Sequence, residues 1–156
     1  MSPKLQEEIK QTKPFASREE EVHLNIVRTA EYLADRVVGV LKASELTGTQ
    51  YNALRILRGA GATGATCGEI AERMVTKDPD ITRLLDRLET RKLITRARCN
   101  SDRRVVRAHV TESGLALLSE LDEPVREVHR RQLGHLGQEQ LAELSRLLET
   151  AREDRS

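Results

Sequence analysis

Residues 73–109 hold eleven Lys or Arg against five Asp or Glu, a net charge of +6, while the rest of the chain carries −5. The overall charge of +1 therefore hides a dipolar layout. Arg83 and Arg87 are four apart, the spacing that puts two side chains on one face of a helix. Arg96, Arg98 and Arg107 alternate with apolar or small residues, and "DRR" at 102–104 lies in a polar turn between them. Guanidinium groups grouped in this way bind polyanions, because each offers a planar fork of donors to a phosphate or to the edge of a guanine. Other chemistry has no support. The chain has no nucleophile elbow, phosphate-binding glycine loop, paired carboxylates or metal-ligand spacing, so no enzymatic activity is expected.

His129 and His135 are six apart, about 120° round a helix, and have no nearby Cys or acidic partner at ligand spacing. No metal and no cofactor are expected. Cys67 and Cys99 form no CxxC pair, which suits a reducing compartment. The longest apolar run, "VVGVL" at 37–41, is far too short for a bilayer, and the N-terminus lacks an apolar signal core. These features predict a soluble, cytoplasmic protein with no membrane partner.

The elements that must hold the arginines are mostly helices. Leucine supplies 21 residues and the three aromatic types together only three, so the core must be aliphatic. Residues 1–16, broken by Pro3 and Pro14, read as a flexible arm. Ser17 can cap a long helix with apolar residues at Val22, Ile26, Ala30, Leu33, Val37 and Leu41. A second helix starts near Thr49 and stops at "GAGATGA". A third, short helix follows the cap Thr66, with Ile70, Ala71 and Met74 inward. A fourth opens with Asp78 as cap and Pro79 at its first position, and buries Ile81, Leu84, Leu85 and Leu88. Its outer stripe is Asp80, Thr82, Arg83, Asp86, Arg87 and Arg91.

Beyond it the period falls to two. Leu93, Thr95 and Ala97 share one face and Ile94, Arg96 and Arg98 the other. On the return strand, Val106, Ala108 and Val110 face inward and Val105, Arg107 and His109 outward, giving a hairpin with a basic outer surface. Thr111 caps the next helix, in which Pro124 predicts a bend or break near Asp122. A last helix follows Gly137. The fold class is mainly α with a small β-hairpin, in the order of a winged helix-turn-helix flanked by longer helices.

In such an arrangement the fourth helix enters the major groove, offering Lys77, Asp80, Thr82, Arg83 and Arg87. The hairpin, or wing, carries Arg96, Arg98, Asp102, Arg103, Arg104 and Arg107 toward phosphates and the adjacent minor groove. The partner implied is double-stranded DNA. The long flanking helices present leucine stripes that the central lobe cannot cover, which predicts a homodimer with two readers about 34–36 Å apart.

"TGTQYNALRIL" at 47–57, "ITRLLDRLETRKLITR" at 81–96, "DRR" at 102–104 and "VTESG" at 110–114 together resemble the MarR family of transcriptional regulators. The resemblance implies an order of four helices, a wing and two helices. It also implies a lobe over 46–110 for DNA and helices over 17–45 and 111–156 for dimerisation, with a pseudo-palindromic operator. It further implies that Asp102 and Arg104 help set the wing, and that many relatives bind small phenolic or aromatic acids. Arg18, His23 and Tyr51 are the residues that could hold such an effector. The function expected is a dimeric, sequence-specific regulator, acting as a repressor. The alternative is a winged-helix protein-interaction module without a DNA target.

Overall fold

The computed structural model describes residues 4–153. The helices are α1 (Lys4–Glu8), α2 (Arg18–Leu41), α3 (Gly48–Ala60), α4 (Cys67–Arg73), α5 (Ile81–Thr90), α6 (Glu112–Leu133) and α7 (Gly137–Ala151). Between α5 and α6 lie β1 (Ile94–Arg98) and β2 (Val106–Val110). The chain divides into two compact units, one ending at Arg36 and the other beginning at Val37.

In the first unit, the segment expected to be a flexible arm contains the short helix α1. Its Leu5 is buried and its Glu8 accepts from Arg28 Nε at 3.0 Å. Lys10, at φ 54°, ends the turn. Ser17 caps α2 as expected, its hydroxyl accepting the Glu20 N–H at 3.1 Å. Three glutamates follow in the first turn, where the helix dipole favours negative charge. The expected apolar stripe stays largely wet: Val22 is 47% and Ile26 40% exposed.

The second unit contains a continuous aliphatic core. Leu54 and Leu57 of α3, Ile70 of α4, Leu85 and Leu88 of α5, Ile94 of β1 and Leu118 of α6 are all essentially inaccessible. Each such side chain contributes about 1.5–3 kcal/mol on leaving water. The helices around it start where a side chain satisfies an otherwise orphan N–H. Thr47 and Gln50 form a reciprocal capping box for α3, Thr66 and Glu69 form another for α4, and Thr111 accepts from Gly114 N at 3.1 Å for α6. Ala71, expected inward on α4, is exposed.

The cap of α5 is Asp80 rather than Asp78. Asp78 Oδ1 instead accepts the Asp80 N–H at 2.8 Å, closing a turn that delivers Asp80 to the cap position. Two aspartates flank Pro79 and both can cap. The one whose carboxylate reaches Arg83 N, at 3.0 Å, starts the helix. Pro124 lies inside α6 without splitting it. Leu121 and Val125 on either side are buried and hold the helix to the core despite the missing donor.

The hairpin is antiparallel, with Ile94 opposite Val110, Arg96 opposite Ala108 and Arg98 opposite Val106. Ile94, Arg96 and Arg98 therefore share a face with Val106, Ala108 and Val110. That face is the covered one, so the expectation that Arg96 looks outward fails. Leu93 and Ile94 are both buried, and alternation alone cannot say which of two adjacent apolar residues sets the inner face. Ala65 adds a rung beyond β2, exchanging bonds of 3.0 and 2.8 Å with Ala108. Gly64 before it has φ 64°, and a Cβ there would strike the Ala108 carbonyl and the His109 ring.

Candidate nucleic-acid interface

The side chains of α5 divide sharply. Leu84, Leu85 and Leu88 enter the core, and Thr82, Arg83, Asp86 and Arg87 face solvent. Arg83 and Arg87 line a shallow cleft of about 160 Å³ with Thr47, Thr49, Gln50, Asp78, Asp80 and Leu84. The start of α3 is thus beside the outer face of α5. The chain reading did not single out Thr47, Thr49 or Gln50 for this surface, although the T-x-x-Q spacing of 47–50 marks a helix start.

Asp80, expected to face a ligand, spends its carboxylate on the Arg83 N–H. Lys77 is exposed in the turn between α4 and α5. Among the described residues, no carboxylate lies within ion-pair distance of the Lys77, Arg83, Arg87 or Arg103 side chains. Arg91, on the same stripe, is tied down: its two terminal nitrogens donate to the carbonyls of Glu45 and Ser44 at 3.0 and 2.9 Å.

Arg87 has no acidic residue three or four positions away on its helix, and of the two at that spacing from Arg83, Asp80 caps the helix and Asp86 is engaged from β1. Arg96 Nη2 donates to Asp86 Oδ1 at 2.5 Å and to Glu89 Oε1 at 2.9 Å. Its backbone N–H donates to Glu89 Oε2 at 2.9 Å. The Arg96 guanidinium holds the Glu89 carboxyl below the usual carboxylate range. Arg107, on the opposite face of the hairpin, is similarly engaged, reaching Glu69 Oε2 at 3.1 Å. Glu69 is pushed down mainly by the Thr66 N–H it accepts in the capping box, with Arg107 adding to the effect.

At the wing tip, Arg98 Nη1 donates to the Arg103 carbonyl at 2.8 Å. Asp102 Oδ1 accepts the Arg104 N–H at 3.0 Å, while the Asp102 carbonyl accepts from Val105 N at 3.0 Å. The turn is therefore set by Asp102 and by Arg98, and it leaves the Arg103 and Arg104 side chains in solvent. Arg104 is 94% exposed, with only a loose approach of 3.7 Å to Asp102. Of the expected wing cations, the structure presents Arg103 and Arg104 outward, uses Arg98 to brace the turn, and engages Arg96 and Arg107 with carboxylates. Cys99, at the base of this loop, has its thiol pushed down by the Ser101 hydroxyl, whose oxygen is 3.1 Å away.

The three residues expected to hold an effector sit in different settings. Arg18 pairs with Glu21 at 2.8 Å, and His23 is exposed. Both belong to the first unit. Tyr51 belongs to the second, where it is buried with Arg55 over its ring at 5.9 Å. Among the described residues there is no His, Cys, Asp and Glu cluster able to hold a metal ion, and no helix is long and apolar enough to cross a membrane.

The MarR family model matches residues 46–106, the segment from the end of the α2–α3 connection to the start of β2. A MarR transcription factor from Planctomyces limnophilus is 43% identical over 87% of this chain and 98% of its own, with a TM-score of 0.66. CouR, a transcriptional repressor solved on a 23-mer DNA duplex, is 25% identical over 91% of this chain and all of its own, with a TM-score of 0.77. The S. aureus MepR–DNA complex shares the fold at a TM-score of 0.74, with 22% identity over 81% of this chain and 92% of its own. An aliphatic lobe that carries an arginine-faced helix and a basic hairpin, matched over nearly its whole length by such a relative, belongs to the MarR family of winged-helix, DNA-binding transcription regulators and is not an enzyme.

Proposed function

We propose that the protein is a homodimeric repressor that reads a pseudo-palindromic operator. In this reading α5 lies in the major groove, with Arg83 and Arg87 reading base edges, Thr82 offering a methyl contact, and Lys77 on a phosphate. Arg103 and Arg104 at the wing tip follow the neighbouring minor groove. The observation that carries this reading is the exposure of Arg83 and Arg87 with no carboxylate within ion-pair distance among the described residues. CouR and MepR, each solved on DNA, lend it support.

Apolar surface supports the dimer. In the second unit Leu144 is 39% and Leu147 50% exposed, and α7 buries no residue at all. In the first unit Val22, Ile26 and Val27 are equally wet. Long helices with uncovered apolar stripes need a partner surface, and a second copy supplies a self-complementary one. A small aromatic or phenolic acid would then release the operator by favouring one spacing of the two readers over another. Arg18 and His23 are the polar groups of the first unit offered for it, and Tyr51 that of the second.

Selection of bound fragments from random DNA with the purified protein tests the proposal. The expected product is an inverted repeat with half-sites about one helical turn apart. Weak retention without enrichment would overturn the operator reading and favour a protein-interaction module instead. Titrating an aromatic acid into the same assay tests the effector, and an unchanged affinity would count against it.

A further inference from the structure

We propose that Arg96 is a positioning residue for DNA binding, which acts by withdrawing the Asp86 carboxylate from the surface that Arg83 and Arg87 present. The inference rests on the DNA reading above and assigns Arg96 a role other than touching the nucleic acid. Asp86 lines a cleft together with Gln50, Arg83, Arg87, Thr90 and Arg91. It is also three residues beyond Arg83, a spacing at which an aspartate and an arginine on one helix pair readily. Left alone, Asp86 would compete with DNA for Arg83 and set a negative charge against the phosphates. In the structure the carboxylate is instead turned to β1, where Arg96 Nη2 holds it at 2.5 Å.

The Arg96 guanidinium is well placed for this and poorly placed for a phosphate. Its side chain is only 22% exposed, against 94% for Arg104 at the wing tip. The same nitrogen also serves Glu89, whose other oxygen accepts the Arg96 N–H. The side chain is therefore fixed at both ends, while Asp86 remains 56% exposed and free to swing back if Arg96 is removed.

A double-mutant cycle on the selected operator tests the assignment, with affinities measured over a salt series. R96Q is expected to bind about tenfold more weakly, and D86N/R96Q to recover to within about threefold of the parent. D86N alone, which does not depend on R96Q folding, is expected to change affinity less than about twofold, because the charge it removes is already masked. Three results overturn the proposal: R96Q binding as the parent does, a gain from D86N that is the same with and without Arg96, or a loss in R96Q that D86N leaves intact. The last, joined to a salt slope reduced by about one, would make Arg96 a phosphate ligand. A parent chain that retains no operator would overturn the DNA reading, and this assignment with it. A parent that binds with R96Q unaltered overturns the assignment alone.

Discussion

Arg58 on α3 and Asp122 on α6 meet as a two-pronged pair, Nη1 to Oδ2 at 2.9 Å and Nη2 to Oδ1 at 3.0 Å, across 64 residues of sequence. The pair ties α3 to α6 within the second unit. Both side chains are about one-third exposed, so water screens the attraction and the coupling is modest. A cycle of R58A and D122A in urea melts is expected to return a coupling of about 0.5–1 kcal/mol. Strictly additive losses would show that the two groups act independently.

The same pair sets a pH response. The Arg58 guanidinium holds the Asp122 carboxyl below its ordinary 3.8. A depressed folded-state value means the unfolded chain binds the proton first, so the stabilisation is complete above the unfolded value. It is then lost as pH falls through the lower folded value. Melts of the parent and of D122N between pH 7 and pH 3 are expected to converge toward the acid end. A constant gap between the two would contradict the linkage.

Gly114 sits where α6 passes over the end of the hairpin. A Cβ there would strike the Leu93 carbonyl and come within 2.7 Å of Val110 Cγ2. G114A is expected to cost about 1–3 kcal/mol through this overpacking, even though alanine favours helices. A thermal melt of G114A equal to the parent's would show that the hairpin yields freely.

Truncating the reader and the wing should give different results on DNA. R83A is expected to relax the preference at one base pair per half-site, at about 1–3 kcal/mol. R103A is expected to weaken binding to all sequences and lower the salt slope by about one. Binding and salt titrations on matched and mismatched duplexes separate the two. Identical effects of both variants would remove the distinction between reader and wing.

A charge placed on the uncovered face of α7 tests the dimer. Leu147 is half exposed, so L147E costs the monomer little, yet in a helical interface it buries an unpaired carboxylate. Sedimentation is expected to show a shift from dimer toward monomer with the helical content kept. A variant that remains dimeric would place the interface elsewhere.

Much of this was legible in the chain. Helix starts followed from Ser17, Thr66 and Thr111, whose hydroxyls do local work that any sequence window shows. The inner stripe of α5 followed from leucine spacing alone. What failed was the part decided by partners distant in sequence. Arg96 reads as outward but turns to the covered face, and Arg107 faces outward as read but is paired rather than free. Their carboxylates lie seven to thirty-eight residues away, on α5 and α4. Likewise Asp78 and Asp80 are equivalent as caps until the turn between them is built. The exposure of Arg83 and Arg87 agreed with the reading, but the engagement of Asp86 by an arginine on the next strand was not visible before folding.

Arg96 and Ala108 stand opposite each other on the two strands, and both turn their main-chain groups away from the hairpin. Ala108 gives its pair to Ala65, and Arg96 gives its N–H to Glu89. At this rung the ribbon already has something on each flank. A stray extended segment from a crowded cell therefore finds no unbroken row of donors and acceptors to zip onto. The exposed two-stranded ribbon is thus less able to recruit a further strand at this rung.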